Sequence, residues 1–182
     1  MEYSFHVYNT MADVGMSLAL DKLIKENTPP VIVCIGSDLA IGDSLGPIVG
    51  TMLQKNLNTS QAYIYGTLRQ PITAKEMKYM GDFLRQTHPN SKVIAVDAAV
   101  GDESDVGLMK VSDVPLKPGS GANKRLGAIG DVSIMGIIAK KGAFSYAQLN
   151  LTRLNTVYTM ADTISKALTN FLTDRKELRR QA

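Results

Sequence analysis

The sequence predicts a three-layer α/β/α domain with a mostly parallel central sheet, a single unit over residues 1–182. Three observations carry this expectation. A chain of 182 residues suits one domain. Short apolar strand patterns alternate with longer helical patterns, the order expected of parallel strands joined by helices on both faces. The stretch Val31 to Met52, VIVCIGSDLAIGDSLGPIVGTM, reads as strand, loop and helix, the opening unit of such a fold.

Met1 to Thr10 is mixed and carries no clear pattern. Ala12 to Lys25 reads as an amphipathic helix, with Val14, Leu18, Leu20 and Ile24 at near-helical spacing. Pro29-Pro30 punctuates the approach to a buried strand, Val31 to Ile35, which Gly36 ends. A loop then carries Asp38, Gly42 and Asp43. From about Leu45 to Leu57 an apolar helix follows, with Ser44 as N-cap and Pro47 in the first turn, where a missing N–H costs little.

Ala62 to Tyr65 is a second short strand, with a loop from Gly66 to Pro71 at its carboxyl end. Thr73 to Gln86 is a helix in which Thr73 and Glu76 form a capping box. Pro89-Asn90 ends it. Lys92 to Val96 is a third strand that runs straight into Asp97. Ala98 to Asp105 reads as a loop of acidic and small residues, and Gly107 to Val111 as a short strand. Pro118 to Arg125 is a Gly-rich basic loop. It fails as a P-loop, because no Gly precedes Lys124 and Arg125 stands where Ser or Thr is required. Asp131 to Ala139 is a strand. A long helix runs from Asn155 to about Arg179, with Val157, Met160, Ala161, Ile164, Leu168 and Phe171 on one stripe. Its basic end, Arg175 to Arg180, reads as a solvated terminus that complements the helix dipole.

Composition narrows the function classes. Hydrophobic residues make up 45%, enough for a substantial core, and the net charge of +3 is too small to imply nucleic-acid binding. The one cysteine, Cys34, sits inside a strand pattern and reads as a buried, inert thiol; no internal disulfide is possible. No apolar run approaches the roughly 20 residues of a membrane span. MEYSFHVYNT lacks the basic start and apolar run of a signal peptide.

Chemistry would converge on one edge of such a sheet. Asp43 follows the first strand beside a helix start, and Asp97 follows the third. In parallel strands both carboxylates would project at the carboxyl edge, where α/β folds hold their sites. The helix N-terminus favours ionised Asp43, whereas apolar Val96 and Ala98-Ala99-Val100 favour neutral Asp97. Opposed biases are what an acid/base pair needs. The bland alternatives are a cap for Asp43 and a turn former for Asp97. The Lys124-Arg125 loop reads equally as the cationic part of a site or as a solvated turn. Only His6 and His88 are present, and His88 precedes the third strand, at the edge away from Asp97. A Ser/His/Asp mechanism and a zinc site are therefore poorly supported.

Three stretches, GSDLAIGDSLGP, VIAVDA and PGSGANKR, resemble the signature motifs of the germination protease of spore-forming bacteria, which degrades small acid-soluble proteins coating spore DNA. Length and overall pattern resemble more closely the YyaC-type sporulation proteins, a smaller sister family of candidate spore proteases. The first two motifs are more distantly similar to hydrogenase maturation proteases, which share an α/β/α fold. The resemblance implies that Asp43 and Asp97 are catalytic. In hydrogenase maturation proteases the matching positions are acidic metal ligands joined by a histidine. No histidine stands in a suitable later segment here, so the expected site holds no metal and needs no cofactor.

The expected function is an aspartate-dependent peptidase of sporulation or germination, acting on a protein or peptide substrate in the spore cytoplasm. Asp38, Gly119, Ser120, Gly121, Asn123, Lys124 and Arg125 are the expected substrate contacts. The alternative is a non-catalytic member of the same fold that holds a peptide in the same cleft. Neither direct nucleic-acid contact nor a membrane is expected; a homo-oligomer is left open.

Overall fold

The computed structural model describes residues 1–57, 61–118, 127–142 and 149–181, with side chains to residue 175. Its strands are β1 (Glu2–His6), β2 (Val31–Cys34), β3 (Tyr63–Tyr65), β4 (Val93–Gly101), β5 (Leu108–Ser112) and β6 (Val132–Lys140). Its helices are α1 (Ala12–Leu23), α2 (Leu45–Asn56), α3 (Met77–Thr87) and α4 (Leu154–Gln181), with 3-10 turns at Gly42–Ser44 and Glu103–Asp105.

The strands form one sheet in the order β1-β5-β6-β4-β2-β3. β3, β2, β4 and β6 run parallel; β5 pairs antiparallel with β6, and β1 antiparallel with β5, so β1 again follows the direction of the parallel set. The strands with near-continuous apolar runs, such as Val31–Cys34, are buried on both faces, as a parallel sheet covered by helices requires.

Strand alternation sorts the core into two layers. Ile32, Cys34, Ile94, Val96 and Ile134 meet α1, α2 and α4 on one face. Val31, Val33, Ile35 and Ala95 meet α3, Leu116 and Ile129 on the other. The first layer is much the larger, and α4 supplies Val157, Met160, Ile164, Leu168 and Phe171 to it. Among the described residues no helix is long and apolar enough to cross a membrane.

Four expectations change. The unassigned start is a strand: in Glu2-Tyr3-Ser4-Phe5-His6 the aromatic rings alternate toward α1 while Glu2, Ser4 and His6 are exposed. In α1 the buried stripe is Ala12, Met16, Ala19 and Leu20, whereas Val14 and Leu18 are exposed. The phase is set by Gly15, which seats directly on the Phe5 ring. Ala98 to Gly101 is strand rather than loop, because β6 continues to pair with β4 past Asp97. Arg175 is not solvated. Its guanidinium is buried, donates to the carbonyls of Ile24 and Glu26, lies 3.2 Å from the Asp21 carboxylate and stacks 4.7 Å from the Phe171 ring centre. It thus satisfies carbonyls of the segment that leaves α1, at the cap residue Ile24 and two residues beyond it.

Candidate active site

The site is built where β2 stops. Ile35 donates its N–H to the Val96 carbonyl (2.7 Å), and Gly36 donates to Ile72 (3.0 Å). The chain then reverses at Gly36, whose φ of +140° lies where side chains are rarely tolerated. Ser37 N–H donates to the Asp43 carbonyl at 3.0 Å, which closes the loop back onto the strand end. A Cβ at Gly36 would clash with that same carbonyl oxygen. The 3-10 turn Gly42–Ser44 runs directly into α2. Ser44 therefore makes no side-chain cap; its hydroxyl donates to the Ile41 carbonyl at 2.6 Å. Pro47 falls in the first turn of α2, as expected.

Two further glycines fix this unit. A Cβ at Gly46 would collide with the Ile35 backbone, and one at Gly50 with the Gly66 carbonyl. The α2 backbone therefore lies against the backbone of the β2 end and the β3 loop, a distance that a side chain would not allow. Asp43, half-buried, is carried on the turn held by these contacts.

Asp97 sits mid-strand in β4. The last β2–β4 pair is Cys34 with Val96, so beyond Val96 the β2 side of β4 is open. The Asp43 turn packs against β4 there. On its other side Asp97 pairs with Met135 of β6. Alternation places Asp97 on the α3 face, in line with Ala95. It is only 8% exposed, and its Oδ1 accepts the Ala98 N–H at 2.8 Å. Burial pushes its carboxyl well above the usual range, and the charge of Asp43 pushes it further; the Ala98 N–H opposes both. The two aspartates thus share one locus at the carboxyl edge, and burial together with the Asp43 charge pushes Asp97 toward its neutral form.

The other expected contacts divide. Asp38 is exposed on the same loop as Asp43. Gly119, Ser120, Gly121, Asn123, Lys124 and Arg125 lie outside the described residues. Their described neighbours enter from the far side of the molecule: β5 ends and β6 begins at the amino edge, where Leu116 and Ile129 bridge. The sequence reading passed over Leu39, Leu68 and Leu151, which are exposed in loops at the carboxyl edge. Their signal was present as leucines inside otherwise polar loops.

The donor set does not fit the metal implied by a hydrogenase maturation protease. His88 is at the amino edge, accepting or donating at 2.7 Å to the Tyr65 hydroxyl and 4.2 Å from the Tyr63 ring. His6 is at the carboxyl edge but on β1, three strands from β4. Among the described residues no three His, Cys, Asp or Glu side chains gather. Cys34 is buried in β2 and its thiol is pushed far up by desolvation, which leaves it inert as a nucleophile.

Comparison with known proteins bears on the fold and the family. The chain is 17% identical to a [NiFe] hydrogenase maturation protease, HycI, from Thermococcus kodakarensis KOD1, with a TM-score of 0.55 over 85% of this chain and 99% of that one. It therefore has a protease-like α/β fold. It is 44% identical over 153 residues to the uncharacterized protein YyaC of Bacillus subtilis (strain 168), covering 84% of this chain and 73% of that protein. The family model described as protein of unknown function (DUF1256) matches residues 4–167. With nine-tenths of its length inside that match and a close relative beside it, the chain belongs to the DUF1256 family.

Proposed function

We propose that this chain is an aspartate-dependent peptidase of sporulation or germination, acting on a protein substrate inside the spore. The observation that carries the reading is the Asp43–Asp97 pair: one half-buried carboxylate on a helix-entry turn, and one buried carboxyl that desolvation and its neighbour's charge push toward the neutral form. Such a pair can divide acid and base roles at one pH. The Asp43 carboxylate takes a proton from a water as its oxygen attacks the scissile carbonyl carbon. The Asp97 carboxyl gives its proton to the carbonyl oxygen. On collapse the C–N bond breaks, Asp43 passes its proton to the leaving amine, and Asp97 recovers its own from the hydroxyl.

Small acid-soluble spore proteins are the substrate to try. Wild type should cut them with a bell-shaped pH profile, and Asp43→Asn and Asp97→Asn should each abolish cutting with the fold retained. Cleavage by both variants at the wild-type rate would refute the aspartate mechanism. A second reading, a non-catalytic peptide holder, draws support from the exposed Leu39, Leu68 and Leu151 at the same edge. It predicts equal substrate binding by all three proteins and no cleavage by any.

A further inference from the structure

β1 is the outermost strand, and no other described residue pairs with its outer side. Which backbone groups face outward follows from its partners. The Met1 carbonyl accepts from Asp113 (3.3 Å), and the Val7 N–H donates to Gly107 (2.9 Å), so odd-numbered residues turn toward β5. Glu2, Ser4 and His6 therefore direct their N–H and C=O groups away from the sheet, the His6 carbonyl already accepting the Asn9 N–H at 2.9 Å. Edge strands are commonly blunted by Lys, Pro or a bulge. Glu2–His6 contains neither residue, and its register with β5 is unbroken.

The helix above this edge is apolar on its outer side. Gly15 sits on the Phe5 ring and Lys22 Nζ lies 5.8 Å from the Tyr3 ring centre. Leu18, between them in α1, is therefore level with Ser4, and it is 61% exposed. Met11 and Val14 continue the stripe at helical spacing, and Tyr8 is exposed beside its start.

We propose that β1 pairs antiparallel with β1 of a second copy of this chain, about a two-fold axis at Ser4. This register makes Ser4 face the partner's Ser4 and Glu2 face the partner's His6, so that the outward-pointing groups are the ones that bond. The side-chain pairing is self-complementary. On the open face the acidic Glu2 meets the partner's His6 twice, and on the helix face Tyr3 meets the partner's Phe5 twice. With strands about 4.8 Å apart, the two α1 helices flank the axis and bring Leu18 toward the partner's Leu18. An isologous contact of this kind closes at two copies. The two six-stranded sheets become one of twelve, and the Asp43–Asp97 site of each copy stays clear of the join.

Sedimentation equilibrium on the full chain tests this. Wild type should show twice the chain mass, dissociating on dilution. Ser4→Pro removes an outward N–H and no bond to β5; Leu18→Glu charges the helix stripe. Each should raise the dimer dissociation constant at least roughly tenfold, about 1.4 kcal/mol, with circular dichroism unchanged. Should Ser4→Pro fail to fold, hydrogen exchange on wild type replaces it: the Ser4 and His6 amides should gain protection above the dissociation constant. Wild type at single-chain mass throughout would overturn the proposal. So would a dimer that neither variant weakens, or one weakened by Leu18→Glu alone with Ser4 and His6 amides unprotected.

Discussion

α2 and α3 are nearly equal in length, 12 and 11 residues, and cover opposite faces of the same parallel strands. They are attached in different ways. In α2 every residue from Leu45 to Gly50 is buried, and two glycines bring its backbone onto the backbone of its neighbours. In α3 only Met77 and Leu84 are buried, and Tyr79 and Phe83 face outward. Contact through side chains leaves a helix room to adjust; contact through backbone does not. The helix that carries a candidate catalytic aspartate at its entry is the one held through backbone.

The sharpest way to break this contrast is Gly46→Ala. The added methyl has only the Ile35 backbone to displace, so a loss of about 3 kcal/mol is expected in urea unfolding. A loss below about 1 kcal/mol would mean that α2 moves as readily as α3. Next comes the charge between the two helices. Asp97 binds its proton more tightly folded than unfolded, so its contribution is fully present below the ordinary carboxylate pKa of about 3.9 and is lost as pH rises through the folded value. Wild-type stability should fall over that window by up to about 1.4 kcal/mol per pH unit relative to Asp97→Asn, which should match or exceed wild type near neutrality. An Asn variant weaker at every pH would assign Asp97 a structural role instead.

Smaller effects belong to α3. Glu76 accepts the Thr73 N–H at 2.9 Å and the Thr73 hydroxyl at 2.5 Å; the helix begins only at Met77 and has no side-chain cap, so Thr73 braces the turn that leads into α3 instead of capping the helix as the sequence predicts. Thr73→Ala removes the hydroxyl's hydrogen bonds in that turn and should cost about 1 kcal/mol in thermal or urea melts. Gly81→Ala is expected to do the reverse of Gly46→Ala. A Cβ there meets only the end of the flexible Arg85 side chain at 3.5 Å, so a gain of about 0.5 kcal/mol should follow. Equal signs for the two glycine substitutions would erase the distinction between the helices.

The β2–α2 unit was legible because its signals are local: an apolar run, a glycine stop, and a proline tolerated in a first turn. Asp43 and Asp97 were legible as a pair for the same reason, each following an apolar strand. What escaped depends on partners distant in sequence. Ala98 to Gly101 looks like a loop until β6 pairs with it. The phase of α1 hinges on Gly15 meeting Phe5, a contact that periodicity does not reveal. Arg175 looks solvated unless the end of α1 is known to lie beside it. β1 is the exception, since its alternation of polar and aromatic residues was readable in five letters.

The placement of α4 has a consequence for biosynthesis. A ribosome that has translated through Lys140 has made all six strands, yet Val157, Ile164, Leu168 and Phe171 do not exist to cover Ile32, Ile94 and Ile134. The nascent sheet has one face that α1 and α2 cover only in part. Translation therefore passes through an interval in which a finished set of strands is sticky and cannot complete its fold, the kind of intermediate that chaperones hold. Burial becomes complete when the last helix arrives, and Arg175, closing on the end of α1, joins the latest described element to the first helix made.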